Sequence, residues 1–218
     1  MCFSATASFT AAAITGVLGL VTLSRVTTRA ELPLAAVPLL FALQQTIEGC
    51  LWLTLDDGIM PGLGTPLTYG FLLLAEVWWP IFVPIAVLLA EPDPRRRRLM
   101  LAPLGLGVGA GLFLLWSILT HAHQAAVIDE HIVYVSERPY PFILGAAYFI
   151  GTVLPPLLSS RRTVAVLGLI VLVGAAIAYV AYWQAFVSVW CFFAAAASGV
   201  ILFHFERLRR TRQSGITT

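Results

Sequence analysis

The chain contains no lysine, and charge of either sign is scarce: Asp, Glu, Lys and Arg together make up 11% of its 218 residues. A retinal Schiff base needs a lysine amine, so the photoreceptor chemistry of one seven-helix class is excluded. So few charges also leave too little polar surface to clothe a water-soluble domain of this length. No basic segment precedes the first apolar run, which is read as a retained span and not as a cleaved leader. Cys2 likewise lacks the apolar segment that a lipoprotein signal places ahead of its cysteine.

Apolar residues fill the space left by the missing charge, at 59% of the chain with a mean hydropathy of +0.89. Stretches of the length needed to cross a hydrocarbon core, about 20 residues, fall at 5–24, 31–55, 66–90, 99–120, 139–158, 162–182 and 185–205. They predict a single all-α domain over residues 1–218, a polytopic seven-transmembrane-helix bundle. The shortest break is Tyr182-Trp183-Gln184-Ala185-Phe186, and six spans with a long last one is the alternative.

The arginines fall on alternate connections: Arg25 and Arg29, Arg95 to Arg98, Arg161 and Arg162, then Arg207, Arg209, Arg210 and Arg212. Arg138 stands on the other side. The positive-inside rule then places the N-terminus outside and the C-terminus in the cytoplasm of a bacterial inner membrane. The expected partner of the C-terminal arginines is the lipid bilayer, and no nucleic acid is expected. The sequence sets no oligomeric state. In the longest connection, Gln124 to Ile128 and His131 to Val135 flank Asp129-Glu130 and predict a small extracellular β-hairpin between helices 4 and 5. Gly105/Gly109 and Gly107/Gly111 lie in an apolar span, where paired glycines let helices approach closely and do not cradle phosphate.

Two acids interrupt the apolar stretches. A carboxylate at mid-bilayer costs roughly 2.5 to 3.5 kcal/mol on insertion scales, so Glu48 and Glu76 are the candidate catalytic or ligand-binding groups. Gln45, Glu48 and Trp52 share a helix face, with Gln44 one turn before Glu48. At 1.5 Å per residue, Glu48 lies roughly 12 Å below the outer boundary and Glu76 roughly 15 Å deep. Trp79 shares the face of Glu76. Pro80 cannot donate to the Glu76 carbonyl, which predicts a kink and a spare backbone acceptor beside the acid. With Tyr182 and Trp183 at the top of the sixth helix, these residues predict an outward-facing polar pocket for a small hydrophobic or lipid ligand.

Two other functions fit the same residues. One is a metal-dependent membrane hydrolase or redox enzyme at the outer leaflet, with His121 and His123 as ligands to zinc, copper or a haem. The other is proton or cation transport, which the inner half supports poorly because it offers little beyond Thr152 and Ser198. Cys2 and Cys191 lie near the outer ends of neighbouring helices; packing, a disulfide and soft-metal ligation all remain open for them. His204 is read as a solvated surface histidine.

Met1-Cys2-Phe3-Ser4-Ala5, Gln44-Gln45-Thr46-Ile47-Glu48-Gly49 and Ser188-Val189-Trp190-Cys191-Phe192-Phe193-Ala194-Ala195 resemble segments of a group of uncharacterised bacterial integral membrane proteins that begin MCFSA. The resemblance spans most of the chain. It implies a polytopic helical architecture and marks those three segments as the places to seek a site, and it implies no reaction. The alkaline ceramidase and adiponectin receptor superfamily is similar in helix count alone, since its paired histidines on the last helix are here the single His204.

Overall fold

The computed structural model describes residues 4–56, 58–59, 62–136 and 142–214. Cys2 and Arg138 lie outside that set. Helix α1 (Ala5–Leu23) starts at Ser4, whose hydroxyl caps the Ala7 amide at 3.2 Å. It runs back along α2 (Leu32–Leu55) through contacts that only small residues permit. A Cβ on Gly19 would stand 2.7 Å from the Leu39 nitrogen, and one on Gly49 would strike the Phe9 ring.

The third rod, Gly64–Ala90, consists of α3 (Gly64–Leu72), a π-helical turn over Leu73–Trp78 and α4 (Trp79–Ala90). The π turn is the helix's answer to Pro80, which has no N–H to give. The Trp79 amide donates to Leu74, five residues back, which leaves the Ala75 carbonyl without its ordinary helical donor. The expected kink at Glu76 is thus a π turn, and the carbonyl it releases is that of Ala75.

Helix α5 (Pro94–Thr120) leads into strands β1 (His123–Ile128) and β2 (His131–Ser136), which pair antiparallel with Ile128 opposite His131. Asp129 and Glu130 both have positive φ, 48° and 60°, the geometry of a two-residue I′ turn reached without glycine. Helices α6 (Phe142–Leu158) and α7 (Arg162–Ala181) follow, and a 3-10 turn at Trp183–Ala185 opens the last rod, α8 (Phe186–Ala197) and α9 (Gly199–Ser214). Six helical rods among the described residues are long and apolar enough to cross a membrane, with Phe142–Leu158 a shorter apolar helix.

Of the glycines in α5, only one pair makes close contacts. Gly107 meets the Pro80 carbonyl and Gly151, and Gly111 meets Ile81, whereas Gly105 and Gly109 face open space. Helices α4, α5 and α6 are therefore pressed together at the level of Pro80.

The arginine-bearing connections meet at one end of the bundle. Arg212 donates to Glu31 at 2.7 Å, Arg25 lies 3.7 Å from Glu206, and Arg96 donates to the Leu158 carbonyl at 2.8 Å. That end is richer in buried polar groups than the sequence suggested. Glu31, Glu91 and Ser159 are all buried there, as is His204, which is 5% exposed and hydrogen-bonded to the Thr163 hydroxyl. The reading of His204 as a surface histidine is corrected by this packing against α7.

Glu91 ties two connections together. It accepts from the Ser159 hydroxyl at 2.8 Å, the Ser160 amide at 2.9 Å, the Asp93 amide at 3.0 Å and the Ser160 hydroxyl. Burial pushes its carboxyl up, but these donors outweigh burial and hold it below the ordinary value of 4.5.

Two outcomes are expected. Gly107→Ala places a methyl 2.1 Å from the Pro80 oxygen and costs on the order of 3 kcal/mol, while Gly105→Ala stays within about 1 kcal/mol of the parent; thermal unfolding in detergent separates them. For Glu91, whose folded value is depressed, the stabilisation is complete above pH 4.5 and fades as pH falls through the lower folded value. Glu91→Gln therefore lowers stability by about 2 kcal/mol at neutral pH, and the two proteins converge on acidification, as pH-dependent melting checks.

Candidate functional site

The polar face of α2 is fully buried, and the structure divides its residues between two tasks. Glu48 is 0% exposed; the Ser188 hydroxyl of α8 donates to one of its oxygens, and the Gln45 amide nitrogen donates to the other at 3.1 Å. The acid thereby joins α2 to α8. Gln44 accepts from the Trp79 indole at 2.6 Å and joins α2 to α4. Such bonds average about 0.6 kcal/mol in membrane bundles, but breaking one side leaves a polar group with no water to turn to.

Glu76 has a different surrounding. It is 8% exposed and lies on the wall of a cavity of about 200 Å³ bounded by α6 and α8, with Leu144, Gly145, Phe186 and Trp190 opposite. The wall is otherwise nearly all apolar. Below it, toward the arginine-rich end, a second cavity of about 80 Å³ is lined by groups such as Phe41, Trp79, Val87 and Ile201. Tyr148, Trp190 and Cys191 border both cavities.

Two of those dividing side chains are pinned. The Tyr148 hydroxyl donates at 2.5 Å to the Ala75 carbonyl that the π turn released, and the Trp190 indole donates to the Val171 carbonyl at 3.3 Å. Cys191 is in no disulfide, and its thiol is within hydrogen-bonding reach of Gln44 and within electrostatic reach of both Glu48 and Glu76. Cys2, with which the sequence leaves packing, a disulfide and shared metal ligation all open, lies outside the described residues.

Several sequence-derived candidates fall elsewhere. Trp52 is buried with Phe71 and Ile132 under the hairpin and lines neither cavity. Trp183 is 64% exposed, because the 3-10 turn carries it to the rim, where it packs edge-on against Tyr179. Tyr182 lies 5.3 Å, ring to ring, from His131 of the hairpin. His121 Nδ1 shares a hydrogen bond with the Thr120 hydroxyl at 2.9 Å, and His123 Nδ1 donates to the His121 carbonyl at 3.0 Å. Among the described residues no three His, Cys, Asp or Glu side chains converge as a metal-ligand group. The metal-ligand expectation for His121, His123 and Cys191 thus finds no ligand set among those residues.

Two residues that matter were not singled out as site residues. Ser188 stands in the SVWCFF segment three residues before Cys191, a helical spacing that puts both on the face toward α2. Tyr148 was legible only as a lone phenol in an apolar span, a group that seeks a partner when buried.

The model of a family of unknown function, DUF6629, matches residues 1–216. The chain belongs to this family. No curated protein and no solved structure matches it. Within this DUF6629 member, the chemistry on offer is a carboxyl group on an otherwise apolar wall, beside a thiol and two fixed aromatic rings.

Tyr148→Phe removes the donor to Ala75 and leaves a buried carbonyl unpaired, so it lowers stability by about 1 to 3 kcal/mol; unfolding of the purified variant in detergent measures the loss.

Proposed function

We propose that the protein is a multi-pass protein of the bacterial inner membrane, with its N-terminus outside, that binds a small hydrophobic ligand through Glu76. The arginine distribution supports that orientation. The observation that carries the binding function is the cavity of about 200 Å³ with one acid on its wall. Sites for small molecules are mostly apolar and use a few convergent polar groups to orient the ligand. An acid in that place selects a head group that donates hydrogen bonds, such as an amine or an alcohol.

The ligand approaches from the side, out of the bilayer. The hairpin covers the bundle's end, with Ile132 fully buried and Tyr134 stacked on Phe71 at 4.6 Å. At the cavity, by contrast, a Cβ on Gly145 would meet nothing within 4 Å, and neighbouring Phe142 is 91% exposed. Binding is favoured over the other two functions by the same geometry. Glu48 is committed to holding α8, the histidines are committed to local bonds, and the second cavity beyond Glu76 is lined mostly by apolar groups, which suits a closed pocket better than a proton or cation path.

Purified protein in detergent is expected to bind octylamine and octanol saturably, read by calorimetry. Gly145→Leu fills the cavity without meeting a neighbour at its Cβ and abolishes binding. Glu76→Gln weakens octylamine by about tenfold or more, the scale of a charge-assisted hydrogen bond. Octylamine binding that survives Gly145→Leu unchanged sinks the proposal.

A further inference from the structure

The two cavities are stacked along the bundle and share one partition. From the geometry we infer that the ligand is a single-chain amphiphile whose head rests at Glu76 and whose tail passes the Tyr148, Trp190 and Cys191 partition into the inner cavity. This rests on the pocket proposed above and names the class of ligand it takes.

Three observations support it. The partition is thin, because the same three side chains form the inner wall of one cavity and the outer wall of the other. It is also uneven. Tyr148 and Trp190 are held by hydrogen bonds to Ala75 and Val171 and meet edge to face at 5.7 Å, whereas the third member, Cys191, has a far smaller side chain, its thiol within hydrogen-bonding reach of Gln44. The chain of methylenes therefore threads at Cys191, where the partition carries the least bulk, and not through the two rings.

The third observation is the contrast between the two chambers. The outer one holds an acid, and the inner one is walled by Phe41, Val83, Val87, Leu167 and Ile201, with only Thr152 and Ser198 to offer a hydroxyl besides the Tyr148 of the partition, which is bonded to Ala75. Both hydroxyls are already spent on backbone carbonyls of their own helices, Thr152 on Tyr148 and Ser198 on Ala195. An inner chamber without a free polar group suits an alkyl tail and offers nothing to a polar head.

The dimensions agree. The cavities of about 200 and 80 Å³ together come just short of the roughly 300 Å³ at which small-molecule sites begin, which leaves no room for a two-tailed molecule. Glu76 and Val87 are eleven residues apart on one rod, which is roughly 16 Å at 1.5 Å per residue. An octyl chain falls short of that depth, and a tetradecyl chain reaches it.

The test compares octylamine with tetradecylamine on the full-length protein and on Ala194→Leu, a substitution that narrows the inner cavity alone. Each buried methylene contributes about 0.8 kcal/mol, or roughly fourfold in affinity. The expected result is that Ala194→Leu leaves octylamine affinity unchanged and weakens tetradecylamine more than tenfold. A tetradecylamine carrying a diazirine at its tail tip gives a second readout that needs no variant. Its adducts are expected on Phe41, Val87 or Ile201. If tetradecylamine is insensitive to Ala194→Leu and the adducts fall on Leu144, Phe186 or lipid-facing side chains while octylamine still binds, the tail does not enter the inner chamber and the inference is overturned. If neither amine binds the parent protein, it is the pocket itself that fails.

Discussion

Pro80 has no N–H to give, and much of the bundle is arranged around that single missing donor. Inside a bilayer an unpaired carbonyl has no water to bond, so the helix must find each one another partner. The chain solves this with a π turn over Leu73–Trp78, in which Trp79 bonds back to Leu74. The carbonyl this releases, that of Ala75, is taken by the hydroxyl of Tyr148 from α6. One covalent property of proline is thereby converted into an interhelical bond. The Pro80 carbonyl, for its part, leaves space for nothing larger than Gly107 on α5, and Gly107 in turn lies against Gly151.

The consequences reach the candidate site. Glu76 sits within the π turn and borders the outer cavity, and Tyr148, held by the same turn, forms part of that cavity's floor. Glu48 shows what the other acid is for. Donors from Ser188 and Gln45 make it a tie between α2 and α8, while Gln44 and Trp79 tie α2 to α4. The insertion cost of each acid is similar; Glu48 serves as a tie between two helices, and Glu76 stands on the wall of a cavity.

At the opposite end the same logic operates with full charges. Glu31 with Arg212, Glu206 with Arg25, and Glu91 with its four donors close the connections over the apolar core. Exposed pairs of this kind contribute little. Glu31 and Glu91 are the exceptions, because both are buried and the donors around them favour the charged form.

Much of the fold was legible in the residues themselves. Hydrophobic length set the helical rods, since a chain cannot leave its backbone unpaired in lipid, and the alternation across Asp129-Glu130 marked the hairpin strands that pair in the structure. The two acids stood out because carboxylates are costly in apolar spans. What the sequence could not decide is which polar groups face one another, because that depends on the rotation and depth of helices far apart in the chain. Ser188 meets Glu48 from 140 residues away, and Tyr148 meets Ala75 from 73. Trp52 and Trp183 shared the right composition for a pocket, yet the hairpin buried one and a 3-10 turn exposed the other. The sequence by itself determined that polar groups lie within an apolar bundle; the tertiary structure alone decided that Glu48 is spent on a helix contact and Glu76 borders a cavity, since only packing distributes hydrogen-bond partners and leaves volume unfilled.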